Sequence, residues 1–157
     1  DRMTTLKRFN FVQTIALGFV LQLTIQIIFI TVMVNLNITN SNNEFLLEKL
    51  TSNWLAYGTL IVLISPVVEE YINRYILFLL PLKILRKSIP YFQRNWGVFF
   101  IAMISSLIFA VFHGEQFLWP YLAMGLIYCW VSYQSNFWGS ILLHISNNLL
   151  FFVLNMI

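Results

Sequence analysis

Long apolar runs constrain this chain more than any other feature. The first extends from Phe11 to about Leu36, with Gln13, Gln22 and Gln26 as its strongly polar members. Four more follow, at Trp54 to about Leu80, Trp96 to His113, about Phe117 to Gln134, and Gly139 to Ile157. A helix needs roughly 20 apolar residues to cross a bilayer. The pattern predicts an all-α, polytopic membrane helical bundle of about five transmembrane spans. Residues 1–157 read as a single integral membrane domain, with the polar motifs confined to a core of about 54–157. Pro66 is expected to bend the second span and Pro81 to end it.

Composition agrees. Of the 157 residues 59% are hydrophobic, 17% aromatic and 10% charged, whereas soluble domains carry about a quarter charged residues. The net charge of +3 calls for no nucleic-acid partner, because the basic residues gather in two short segments. Arg2, Lys7 and Arg8 precede the first span, and Lys83, Arg86, Lys87 and Arg94 follow the second. The positive-inside rule then places the N-terminus and the 83–95 loop in the cytoplasm and the C-terminus outside. The Asn-rich stretch NLNITNSNNEFLLEKLTSN between the first two spans reads as a loop, with a short amphipathic turn at Phe45 to Leu50. The first apolar run is too long for a signal peptide and is expected to be retained. The chain opens with Asp, compatible with segments upstream. One cysteine, Cys129, allows neither an intrachain disulfide nor a thiolate metal cluster.

Against this background SPVVEEYINRY, at 65–75, stands out. Glu69, Glu70 and Arg74 fall inside a span, where each charge costs about 2.5 kcal/mol or more at the bilayer centre. Glu70 and Arg74 are four residues apart and can pair on one helix face. Glu69 projects about 100° away, free to meet another helix. Both histidines share the pattern. FAVFH sets His113 four residues after Phe109, and HISNN sets His144 four residues before Asn148, with Asn147 beside it. Each of these alone reads as a packing residue, an interhelical hydrogen bond or a structural ion pair. Together they put the chain's only adjacent acids, its two histidines and an asparagine on three separate spans.

A carboxylate and a neutral imidazole that share a water suit general-base hydrolysis. A histidine with an asparagine one turn on offers two donors to the oxyanion of a tetrahedral intermediate. No GxSxG is present, and Cys129 has no neighbouring charge to activate it. Water-mediated acyl hydrolysis fits the residue set best.

The motifs Glu69-Glu70-x-x-x-Arg74, Phe109-x-x-x-His113 and His144-x-x-x-Asn148 resemble, in order, those of the CPBP family of intramembrane proteases. That family, also called Abi, comprises CAAX prenyl endopeptidases and bacteriocin-processing or self-immunity proteins. The resemblance covers roughly 65–150. It implies Glu69 as general base, Glu70 and Arg74 as its support, His113 as the water-binding partner, and His144 with Asn148 as the oxyanion site. Phe109 is then a packing residue. No cofactor is expected, although a Zn²⁺ site on Glu69, His113 and His144 is chemically allowed. The resemblance further implies a peptide or lipidated-peptide substrate beside membrane lipid. The many Asn, Ile and Phe residues are compatible with a low-GC bacterium, hence a multi-pass protein of a bacterial cell membrane. Alternatives are a non-catalytic bacteriocin self-immunity protein of the same fold and a small transporter or proton relay. One expectation is geometric. On straight helices His113 lies about 26 Å from the cytoplasmic start of its span and His144 only about 8 Å from its own. A bend, a tilt or different helix ends must bring them together.

Overall fold

Lipid offers no partner to a bare N–H or C=O, so a spanning segment has to satisfy its backbone internally. Accordingly, every regular element among the described residues is helical. The structure, a computed structural model, describes residues 9–36, 53–114 and 117–156. Arg2, Lys7 and Arg8, residues 37–52 of the Asn-rich loop with the turn at Phe45 to Leu50, Glu115, Gln116 and Ile157 lie outside the described residues.

Helix α1 spans Phe11–Asn35. It opens with a capping box: Asn10 Oδ1 accepts from the Gln13 amide at 2.8 Å, and Gln13 Oε1 accepts from the Asn10 amide at 3.1 Å. Helix α2 runs over Trp54–Ser88, 35 residues, and passes straight through Pro81. The expected stop fails for a physical reason. A proline breaks an α-ladder by lacking its N–H and by clashing with the carbonyl four residues back. Here the backbone widens into π-helical turns ahead of each proline, at Leu60–Ile64 before Pro66 and at Tyr71–Leu79 before Pro81. The Ser65 N–H bonds to Leu60 O and the Leu80 N–H to Tyr75 O, each five residues back, so the helix continues. Such widened turns concentrate at functional sites.

A 3₁₀ turn at Pro90–Gln93 leads into α3, Asn95–Phe112. Gly97 is required there, because a Cβ would stand 2.5 Å from the Tyr91 carbonyl oxygen. Gly114, with φ +63°, takes the left-handed conformation that closes α3. Helices α4, Trp119–Gln134, and α5, Phe137–Met156, complete the bundle.

Four helices, α1, α2, α3 and α5, are long and apolar enough to cross a membrane. The fifth expected span, α4, has 16 residues, about 24 Å of helix. It is also the central element, packed against all four others. Small residues allow the close approach typical of membrane interfaces. A Cβ on Gly125 would lie 2.8 Å from Ser106 Cβ, and one on Gly18 would lie 2.9 Å from both Leu143 and Val131. The outer faces carry exposed Val, Ile, Leu and Phe from every helix but α4, Phe112 at 79% among them, as a lipid-facing bundle requires.

Candidate active site

The widened turns of α2 flank a short α-helical piece, Ser65–Glu70, that carries both carboxylates. Glu70 is fully buried. Its Oε2 lies 3.2 Å from Arg74 Nε, and its Oε1 lies 3.1 Å from His144 Nδ1. Arg74, equally buried, reaches α3, where its Nη1 donates to Ser105 Oγ at 3.1 Å. Ser105 in turn donates to the Asn73 carbonyl at 2.5 Å. The guanidinium lies 4.7 Å from the Phe109 ring centroid and 5.6 Å from that of Tyr128, an aromatic cradle that favours a desolvated cation.

Glu69 faces the other way. Its Oε1 accepts from Ser65 Oγ. Its Oε2 is buried without a hydrogen bond, 3.7 Å from His113 Nε2 and 3.9 Å from His144 Nε2. These separations exceed direct hydrogen-bond distance. Sequence spacing separated the two acids by helix face. In the structure His144 lies between them, with Nδ1 on Glu70 and Nε2 toward Glu69.

The histidine tautomers follow from their partners. His113 Nδ1 lies 2.8 Å from the Phe109 carbonyl, which can only accept, so Nδ1 carries the hydrogen. His144 Nδ1 meets a carboxylate oxygen at 3.1 Å and likewise donates. In the neutral form each imidazole then turns an Nε2 lone pair toward Glu69. Acceptors that face one another across 3.7–3.9 Å call for a donor between them, and water is the natural one.

The depth mismatch between His113 and His144 is resolved in two ways. The His113 ring folds back along α3 onto Phe109, with ring centroids 4.4 Å apart, consistent with helical side chains leaning toward the N-terminus. The short α4 brings the start of α5 nearer to the end of α3. Two tyrosines seven residues apart on α4 fix the rings from behind. Tyr121 stacks on His113 at 4.3 Å and Tyr128 on His144 at 5.0 Å.

Asn148 lies on α5 with its Nδ2 donating to Ile61 O at 3.0 Å and its Oδ1 accepting from Asn147 Nδ2 at 3.3 Å. Ile61 O is the carbonyl a residue five positions on would engage, and that residue is Pro66, which has no N–H. Asn148 therefore satisfies an acceptor that the π-turn and the proline leave open. Among the described residues no group of three His, Cys, Asp or Glu side chains is arranged to hold a metal ion.

Glu69, Glu70, Arg74, His113 and His144 thus meet in one cluster, with Asn148 one turn beyond His144. Sequence reasoning missed Ser105, Tyr121 and Tyr128. The signals were present: Ser105, Phe109 and His113 recur every four residues, and Tyr121 and Tyr128 are a heptad apart.

The chain matches no curated protein and no solved structure. The family described as type II CAAX prenyl endopeptidase Rce1-like matches residues 51–150, which take in all three motifs and the elements from α2 to most of α5. On that match, the chain belongs to the Rce1-like family of type II CAAX prenyl endopeptidases.

Proposed function

We propose that the protein is an intramembrane endopeptidase that hydrolyses a peptide bond in a membrane-associated, lipidated or leader-bearing peptide, with glutamate and histidine activating water. The observation that carries this reading is the buried, hydrogen-bond-free Glu69 Oε2 facing two imidazole Nε2 atoms from two other helices.

The steps follow from the side chains. A water between Glu69 and His113 gives a proton to Glu69 as its oxygen attacks the carbonyl carbon. The carbonyl oxygen becomes an oxyanion facing Asn148 and His144. Asn148 keeps a second amide N–H after donating to Ile61 O. His144 donates from Nε2 when it carries a proton there, and Glu70 on Nδ1 offsets that charge. Collapse of the intermediate breaks the C–N bond, and the proton on Glu69 passes to the leaving amine. Arg74 and Ser105 hold Glu70 throughout.

The test uses purified protein in nanodiscs with an internally quenched CAAX-type peptide, farnesylated and unmodified. Glu69→Gln lowers kcat by about 10²–10⁴-fold, the usual worth of a general base, with helical circular dichroism unchanged. Cleavage by Glu69→Gln at the wild-type rate would overturn the proposal. The same membrane setting, with the N-terminus and the 83–95 segment (the end of α2 and the turn after it) cytoplasmic, is the topology we propose.

A further inference from the structure

Helix α1 lies outside the segment that matches the family, yet its interior face is polar where lipid-embedded interfaces are usually small or apolar. Its buried residues are Thr14, Gly18 and Gln22. Gln22 Oε1 accepts from the Tyr128 hydroxyl at 3.5 Å, behind the ring that stacks on His144. One turn on, Gln26 Nε2 donates to Asn147 Oδ1 at 2.5 Å. An amide in a span of mean hydropathy 2.3 is costly unless it bonds across helices, and both glutamines bond to residues beside the site.

The Gln26 contact is the start of a directed relay. Gln26 Nε2–H donates to Asn147 Oδ1, Asn147 Nδ2–H to Asn148 Oδ1, and Asn148 Nδ2–H to Ile61 O. Amide groups can be reversed end for end, but this relay admits one polarity. It ends on a backbone carbonyl that only accepts, so Asn148 must turn its NH₂ toward Ile61. Its oxygen then faces Asn147, which must present NH₂, and Asn147's oxygen must face the NH₂ of Gln26. The carbonyl end fixes this polarity, and Gln26, as the donor at the far end, closes the relay and holds Asn147, and through it the Asn148 amide, in that orientation.

We infer that Gln26 is a positioning residue of the site, acting through Asn147 to hold the Asn148 amide with one N–H on Ile61 O and the other aimed at the reacting carbonyl. This rests on the peptidase reading for the role of Asn148, while the relay itself does not. An isolated interhelical bond would stabilise α1 without regard to Asn148. The relay instead makes α1 a part of the site.

Two measurements on the full chain in nanodiscs decide it. In protein labelled with ¹⁵N-asparagine, the Asn148 side-chain amide pair, assigned by its loss in Asn148→Ala, is ordered and inequivalent. Gln26→Leu shifts and averages that pair, and Asn147→Ala, which cuts the relay at its middle, does the same and serves if Gln26→Leu does not fold. An Asn148 signal unmoved by both changes overturns the inference, whether or not any peptide is cut. With the farnesylated quenched peptide, Gln26→Leu lowers kcat about tenfold with KM held, the scale of a small misplacement of a catalytic group, and has no further effect in the Asn148→Ala background. An equal loss in both backgrounds makes Gln26 interhelical glue only and overturns the positioning role.

Discussion

Two adjacent carboxylates on one helix occupy opposite kinds of environment. On the closed side Glu70 is fully buried and tied to Arg74, His144 and, through Arg74, to Ser105. On the open side Glu69 is 30% exposed, holds only Ser65 through Oε1, and keeps Oε2 at 3.7–3.9 Å from two imidazoles. The closed side has the geometry of a charge network paired within the protein, although Glu70 Oε2 and Arg74 Nε, 3.2 Å apart, form no hydrogen bond. The open side has the geometry of a site that waits for a donor. One imidazole, His144, belongs to both, so the closed side sets the tautomer that the open side uses.

The largest expected effect tests the closed side. Arg74→Leu leaves buried Glu70 and its His144 contact without their cation, and breaking a buried pair from one side costs about 3–5 kcal/mol. Thermal unfolding in detergent or nanodiscs reads this, and a variant as stable as wild type would break the contrast. Ser105→Ala comes next. It removes the acceptor for Arg74 Nη1 and the donor to Asn73 O, a loss of about 1–3 kcal/mol for stranded buried groups. Glu69→Leu is the smallest in stability, within about 1 kcal/mol of wild type, because it gives up no buried ion pair and replaces a carboxylate whose Oε2 is buried without a hydrogen bond. If Glu69→Leu instead costs as much as Arg74→Leu, both acids belong to one structural network.

Much of this was legible in the sequence, and what was not had local causes. Hydropathy located α1, α3, α4 and α5 to within a few residues because lipid enforces long apolar runs, and it ended α2 eight residues early. The spacing of Glu70 and Arg74 predicted their pair because it depends on one helix alone. Pro81 does not end α2, against expectation, because the ladder has already widened over Tyr71–Leu79, a change that residue spacing does not reveal. Ser105 and Tyr128 share a spacing with site residues or with Tyr121, but only the fold shows that those faces meet the charged cluster. The role of Asn148 on Ile61 O required knowing which carbonyl Pro66 leaves open. Gln22 and Gln26 were visible as polar residues, but their partners lie 106 and 121 positions away, beyond any spacing rule.

The central claim is that the neighbouring acids divide into a reacting group and a supporting one. A side-by-side comparison of Glu69→Gln and Glu70→Gln, each followed for peptide cleavage and for thermal stability, tests it most directly. The division predicts that Glu69→Gln abolishes cleavage and melts near the wild-type temperature, whereas Glu70→Gln melts well below it. Two variants that lose stability equally, or a Glu69→Gln protein that still cuts the peptide, would contradict it.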